Sequence, residues 1–131
     1  MDHLEPYDVY AVRYATNSVE SRDNFLFDPS KVGADPHESP MPLDFFVWAI
    51  VGGDRTWIVD LGFEHEGAAR RGRAITRLPS EGLQTLGIDS RDVEDVIVSH
   101  LHYDHAGDLS SFPNARLHIQ ESELAYATGR I

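Results

Sequence analysis

The chain has 131 residues, enough for one domain with a modest hydrophobic core. Its 22 acidic and 11 basic residues give a formal net charge of −11, which repels phosphate backbones and anionic lipids, so we expect no nucleic-acid or membrane partner. The absence of cysteine excludes a disulfide framework and a thiolate metal site. Because we find neither a secretory signal nor an apolar stretch long enough to span a bilayer, we expect a cytoplasmic protein.

The first part of the chain predicts one strand followed by a long loop. Tyr7 to Tyr14 alternates aromatic and β-branched residues, which favours a strand. Residues 16–42 carry Asn, Asp, Ser, Gly and Pro without any period and predict a loop. Within it, Phe25-Leu26-Phe27 is an apolar patch that either covers a pocket or an oligomer contact or packs on its own domain.

Two apolar runs then predict a β-hairpin. Leu43 to Val51 and Arg55 to Leu61 are nearly continuous apolar sequence, and Gly52-Gly53-Asp54 lies between them. Glycine allows the positive φ that a tight turn requires, so we expect two antiparallel strands.

Helical sequence and charge follow the hairpin. Glu64 to Leu78 predicts a short helix and a loop whose four arginines form a solvated face or meet a carboxylate elsewhere in the complete protein. We expect His37 and His65 to be surface residues. Pro79 to Gly87 predicts a second short helix that stops at Gly87.

The most informative stretch is a short strand that ends in a group of histidines. Val96 to Val98 is a β-branched run, which favours a strand. Since alternate residues of an extended segment face the same side, we expect His100, His102 and Asp104 to converge, with His105 joining them after a turn. In the residues that follow, we expect Gly107 to bend the chain and Asp108 to cap a short helix.

The last part of the chain predicts a strand and a helix. Arg116 to Gln120 alternates, which places Leu117 and Ile119 on a buried face and His118 on an exposed one. Glu121 to Arg130 has helical composition, with Leu124 and Ala125 facing inward.

Imidazole nitrogen and carboxylate oxygen are ligands that suit zinc and similar divalent ions. The four residues His100, His102, Asp104 and His105 therefore predict a metal site. Their mixture indicates two divalent ions, most simply zinc, that share one hydroxide as the nucleophile.

The pattern His100-x-His102-x-Asp104-His105 resembles the signature of the metallo-β-lactamase superfamily. Further segments resemble its N-acyl-homoserine-lactone lactonases, which are quorum-quenching enzymes. These segments are Leu86-Gly87-Ile88, His105-Ala106-Gly107-Asp108, Phe112-Pro113-Asn114-Ala115 and Glu121-Ser122-Glu123-Leu124. The resemblance implies an α/β fold, an αββα sandwich of about twice this length, of which residues 1–131 form the N-terminal half.

The resemblance also implies a division of roles. His100 and His102 would serve one ion, and Asp104 and His105 the other. The shared hydroxide would attack the carbonyl of a lactone or ester, and Asp104 would carry a proton to the leaving alkoxide. A family aspartate beneath the motif, usually in an Asp-Thr-Gly context, corresponds to Asp60. Because Leu61 replaces the threonine here, we expect Asp60 to hydrogen-bond to a ligand or to cap its strand.

The resemblance leaves the site unfinished within these residues. The family's remaining ligands come from its C-terminal half, so we expect a chain ending at Ile131 to be inactive alone. We also expect its apolar sheet to be covered by that half or by a second copy. Thioester or organophosphate hydrolysis on the same fold, and a non-catalytic metal-binding or association fragment, remain alternatives.

Overall fold

The structure, a computed structural model, describes residues 6–18 and 42–129. Six strands form one mixed sheet, and short helices lie along the connections. The strands are β1 (Asp8–Asn17), β2 (Leu43–Gly52), β3 (Arg55–Val59), β4 (Ala74–Ile75), β5 (Asp95–Ile97) and β6 (Arg116–His118). The helices are α1 (His65–Arg70), α2 (Pro79–Gln84), α3 (Tyr103–Ala106) and α4 (Glu121–Ala127), with 3₁₀ turns at Ser90–Asp92 and Leu109–Ser111. Across these ranges no helix has the length and apolarity needed to cross a bilayer.

The strand order in the sheet is β4-β1-β2-β3-β5-β6. The first three strands form an antiparallel meander, whereas β3, β5 and β6 run parallel to one another. In this parallel part Val59 lies opposite Ile97, the last residue of β5. Since the carboxyl ends of parallel strands lie at one edge of a sheet, the segments after β3 and β5 meet there.

The first strand is longer than the sequence predicts. Thr16 and Asn17 pair with Asp44 and Leu43, so the first two residues of the predicted loop 16–42 belong to β1. The register of β1 shifts between Arg13 and Ala15, which marks a β-bulge near the predicted end of the strand. Most of the predicted loop, including Phe25-Leu26-Phe27 and His37, lies outside the described residues.

The predicted hairpin and the predicted helix that stops at Gly87 are confirmed. β2 and β3 pair antiparallel, and Gly53 in the turn has a φ of 59°. Helix α2 begins at Pro79, and Gly87 beyond its end has a φ of 77°. Both glycines occupy the left-handed region that stops a strand or helix. His65 is exposed at the start of α1, as predicted.

One face of the sheet forms the core. Buried side chains from the central strands pack with Tyr14 and with Leu83 of α2. The central residues are Val47, Ala49, Ile58 and Val96. On the opposite face Phe46 and Trp48 are 38% and 42% exposed, so the described residues cover that face incompletely.

Two inward-facing residues predicted near the C-terminal end are exposed. Leu117 and Leu124 are 41% and 50% exposed, whereas Ile119 and Ala125 are partly buried. Leu117 lies on β6, the edge strand of the sheet, and α4 has no buried residue. Alternation therefore identified the strand correctly, but an edge position gives Leu117 few neighbours to pack against.

His118 makes a defined contact across the parallel strands. Its Nε2 lies 2.7 Å from Oδ1 of Asp95, and its ring centroid lies 5.3 Å from that of Trp57. The side chain is 40% exposed, so the predicted exposure is only partial. Its ring nitrogen bonds to Asp95, which is not one of the four predicted ligands. The hydrogen bond from His118, helped by the charges of Arg116, His118 and Arg55, holds the pKa of Asp95 below its ordinary value.

Replacing His118 by Phe is expected to raise the pKa of Asp95, because the ring stays and the hydrogen-bond donor is lost. A lowered carboxyl pKa stabilises the fold above the unfolded value, about 3.9, and this contribution disappears as the pH falls through the folded value. In H118F the stability should therefore fall less steeply with acidification below about pH 4. NMR titration of the Asp95 carboxyl measures the shift. An unchanged pKa in H118F would contradict the assignment of its cause.

Candidate metal centre

Three backbone hydrogen bonds join the segment after β3 to the segment after β5. Asp60 N donates to Ile97 O at 2.9 Å, and Leu61 N donates to His105 O at 2.8 Å. Gly107 N donates back to Gly62 O at 2.8 Å. Residues 60–62 therefore form a support on which the histidine-rich loop rests, and the contact is entirely nonlocal in sequence.

The loop itself does not stay extended as the sequence predicts. His102 is extended, with φ −68° and ψ 153°, but it caps the one-turn helix α3 that carries Asp104 and His105. Asp104 therefore reaches the cluster from a helical turn and not by strand alternation. The prediction that an extended segment brings Asp104 to the same side as His100 and His102 was therefore wrong.

The structure nevertheless brings the four predicted ligands together. The ring centroids of His100 and His102 are 4.6 Å apart, and those of His100 and His105 are 3.9 Å apart. Nε2 of His105 lies 3.5 Å from Oδ2 of Asp104. All four side chains thus lie in one polar group at the carboxyl edge of the sheet.

Asp60 lies beneath this group and is only 5% exposed. Its carboxylate accepts hydrogen bonds from Ser99 N at 2.8 Å, from Ser99 Oγ at 2.9 Å and from His105 Nδ1 at 2.7 Å. A carboxylate only accepts, so Nδ1 of His105 donates to Asp60, and in the tautomer with its single proton on Nδ1 the lone pair of the imidazole is on Nε2. That nitrogen is therefore available as a metal ligand.

The backbone of Asp60 is itself unusual. Its φ is 65°, and it is the only non-glycine residue with a positive φ in the part of the chain that the structure describes. Such a conformation is uncommon for a side-chain-bearing residue, although Asp and Asn adopt it most readily. It turns the carboxylate from the end of β3 toward the loop after β5.

Two supporting residues were not singled out from the sequence. Tyr14 is fully buried, and its hydroxyl donates to the backbone oxygen of Asp104 at 3.0 Å. Burial, together with the nearby charge of Asp104, raises the pKa of Tyr14 and keeps the hydroxyl a donor. Ser99 contacts Asp60 and lies 3.1 Å from Nδ1 of His100. A polar residue between an apolar strand and the first ligand was the available signal for Ser99.

Gly107 and Asp108 differ from their predicted roles. Gly107 has an ordinary φ of −85°, and glycine is needed because a Cβ would collide with the backbone oxygens of Tyr103 and Gly62. Asp108 is buried but makes no capping bond to the following 3₁₀ turn, and its Oδ1 accepts from Ser110 Oγ at 3.2 Å. Its φ of −112° and ψ of 58° lack the extended geometry of a capping residue, so the predicted cap was wrong.

The donor chemistry of this group fits a divalent ion, but its members are not gathered as a closed site. Within residues 6–18 and 42–129, no three His, Asp or Glu side chains are arranged to hold one metal ion. The hydrogen bond from His105 to Asp60 is the arrangement by which proteins orient a histidine ligand. Neutral imidazole and carboxylate are the ligands zinc takes in catalytic sites.

Comparison with known proteins agrees with the fold. The model of the metallo-beta-lactamase superfamily matches residues 43–122, which is more than half of the chain. The N-acyl homoserine lactonase AttM of Agrobacterium fabrum is 49% identical over 45 residues, covering 34% of this chain and 17% of AttM.

Solved structures match nearly the whole chain but only about half of their own length. A probable metal-dependent hydrolase from Staphylococcus aureus has a TM-score of 0.67 and 16% identity, and the match covers 95% of this chain and 50% of the hydrolase. AidC, described as a dizinc quorum-quenching lactonase, has a TM-score of 0.65 and 17% identity, with 94% and 45% covered. The sheet and helices therefore correspond to one half of this fold, and the α/β prediction is confirmed. The chain belongs to the metallo-beta-lactamase superfamily.

Proposed function

We propose that these residues form half of a two-zinc hydrolase site that opens a lactone or cleaves an ester. The observation that carries the proposal is the hydrogen bond from His105 Nδ1 to the buried Asp60. It leaves Nε2, which lies 3.5 Å from Oδ2 of Asp104, as the atom of His105 that would bind a metal ion. His100 and His102 would hold one ion, and Asp104 and His105 the other. When bound, the ions would supply Lewis acidity that activates water at neutral pH and polarises the substrate carbonyl.

The chain's own residues have distinct roles in this proposal. Asp60 and Ser99 hold His105 from below, and Tyr14 holds the backbone of Asp104 through its hydroxyl. The side chain of Asp104 is 24% exposed, so it can reach solvent and substrate. In this proposal Asp104 takes the proton that the attacking water loses and passes it to the alkoxide that leaves when the ring or ester opens.

The lactone class is proposed because AttM and AidC are lactonases. It is a proposal for the complete protein, since this chain spans only part of the length of each. Hydrolysis assays on the complete protein test it with matched lactones, esters, thioesters and organophosphates. We expect lactone or ester turnover that a chelator abolishes and zinc restores. Turnover of thioesters or organophosphates alone would favour the alternative chemistry on this fold, and turnover that survives complete metal removal would contradict the proposal.

We further propose that the uncovered sheet face is a packing surface for the rest of the domain. Phe46 and Trp48 lie side by side there, with ring centroids 6.2 Å apart. Large contiguous apolar patches are uncommon on soluble monomers, so a covering partner is expected. The C-terminal half is the first candidate and a second copy is the other. The cytoplasmic location and the absence of nucleic-acid and membrane partners stay predictions from composition.

The isolated 131-residue chain is accordingly expected to associate or to bind a separately supplied C-terminal half. Sedimentation velocity measures the association, and replacing Phe46 and Trp48 together by Gln should shift the chain toward monomer. Replacing exposed Leu86, which lies beyond α2, serves as the control for lost apolar surface. A stable, well-folded wild-type monomer with full hydrolytic activity would contradict this prediction.

A further inference from the structure

Helix α1 ends in a turn that fixes the backbones of two arginines. Gly72 has a φ of 62°, and Arg73 N donates to Ala68 O at 2.9 Å while Gly72 N approaches Ala69 O at 3.4 Å. This pair of hydrogen bonds around a left-handed glycine is the Schellman motif. Arg71 and Arg73 therefore leave the helix end from defined positions on either side of Gly72.

Both arginines reach the same side chain. The guanidinium carbon of Arg71 lies 3.8 Å from the ring centroid of Tyr103, and Nε of Arg73 donates to the Tyr103 hydroxyl at 3.2 Å. The ring of Tyr103 in turn packs against buried Phe63, with centroids 5.5 Å apart. Because Tyr103 lies between His102 and Asp104 in the chain, the two guanidinium groups lie beside the proposed metal-binding loop.

The charges of these two arginines are not neutralised within the described residues. Neither forms an ion pair there, whereas the neighbouring Arg70 pairs with Glu66 at 2.8 Å. Two positive charges held against one ring repel each other, and an anion between them would remove that repulsion. The terminal nitrogens of a guanidinium form a planar fork that matches a carboxylate.

We propose that Arg71 and Arg73 bind a carboxylate of the substrate, so that the protein prefers a lactone or ester with an anionic group near the reacting carbonyl. This inference rests on the proposed hydrolase function and specifies its substrate class. Tyr103 positions both arginines by its ring face and its hydroxyl. The exposed surface of Arg71 and the partial burial of Arg73 leave the pair open to a ligand from solvent.

A matched pair of esters tests the preference. p-Nitrophenyl hydrogen glutarate and its carboxamide twin differ only in the remote charge, and both are assayed with the zinc-loaded complete protein. We expect kcat/KM to favour the carboxylate by about 10- to 100-fold, chiefly through KM. Arg71→Gln and Arg73→Gln should each lower kcat/KM for the carboxylate toward the value for the carboxamide and so remove most of this preference.

Arg70→Gln is the matched control, because it removes the same charge from the same segment without touching Tyr103. It should leave the preference intact. A wild-type protein that shows no preference, or variants at positions 71 and 73 that slow both esters equally, would overturn the proposal.

A binding measurement separates this proposal from the hydrolase function. Glutarate is titrated into the metal-free complete protein at low salt, with glutaramide as the neutral probe, and the Nε–Hε signals of arginine are followed by NMR. We expect the signals of Arg71 and Arg73 to shift with glutarate but not with glutaramide, and the signal of Arg70 to stay fixed with both. Shifts in a protein that hydrolyses neither ester would support carboxylate binding and count against the hydrolase. Glutarate without effect on a protein that hydrolyses the carboxamide ester would overturn carboxylate binding.

Discussion

Replacing His102 or Asp104 by Ala is expected to abolish hydrolysis by the complete protein. Under the proposed ligand assignment, each change removes one donor from an ion, which then loses both a bond and part of its orientation. Under the same proposal, D104A also removes the group that carries the proton to the leaving alkoxide. The expected loss of kcat is at least about 100-fold, since removing one group that stabilises charge in the transition state costs about 100- to 1000-fold.

Elemental analysis of the same preparations shows whether metal is lost along with activity. His65→Ala is the matched control, because His65 is exposed on α1 and lies outside the proposed ligand set. The control should keep wild-type kcat and metal content. A D104A or H102A protein that retains most of its kcat with both metals bound would show that these residues are not ligands.

Replacing Asp60 by Asn is expected to weaken the site without emptying it. The carboxylate accepts three hydrogen bonds, two of them from Ser99 and one from His105, and the amide of Asn has a single acceptor oxygen. At least one donor then loses its partner, and His105 loses the charge that orients it. Loss of such an orienting group typically lowers metal affinity or activity by about 10- to 100-fold.

The substitution is informative because it leaves the backbone in place. Asn tolerates the positive φ of position 60 about as well as Asp does, so a change in zinc affinity reports on the carboxylate. Competition with a chromogenic chelator measures zinc affinity directly. Asp54→Asn, in the exposed β2–β3 turn, is the control for a lost negative charge. Equal zinc affinity in D60N and D54N would rule out the orienting role of Asp60.

Local sequence signals predicted much of this fold. Apolar runs separated by Gly52 and Gly53 specified the β2–β3 hairpin, and Pro79 with Gly87 bounded helix α2. These features depend on neighbours in the chain: the turn demands a positive φ, and proline suits the first turn of a helix. For the same reason the strand before the histidines was found to within a residue or two.

The shape of the site depends on distant partners and was therefore less accessible. The helical turn that carries Asp104 is anchored by Leu61, Gly62 and Tyr14, which lie far away in sequence. Strand alternation cannot anticipate such contacts, so the extended geometry predicted for Asp104 failed. The identities of the grouped residues were accessible all the same, because ligand chemistry depends on residue type and close spacing.

The solvent exposure of side chains was also predicted only in part, because it depends on both local and distant parts of the chain. Alternation predicts which side chains share a face but not whether another layer covers that face. Leu117 was predicted to face inward from strand alternation and Leu124 from helical composition, yet Leu117 on β6 and Leu124 on α4 are both exposed. The continuous apolar sequence of β2 predicts a strand that is covered on both faces of the sheet. Trp48 is nevertheless 42% exposed on one of these faces.

Anomalous scattering from crystals of the complete protein grown with zinc tests the central claim most directly. Data collected on either side of the zinc absorption edge locate the ions without reference to activity. We predict two anomalous peaks, one at bonding distance, about 2.0–2.2 Å, from His100 and His102 and the other from Asp104 and His105. Full zinc occupancy at positions that none of these four side chains reaches would contradict the account.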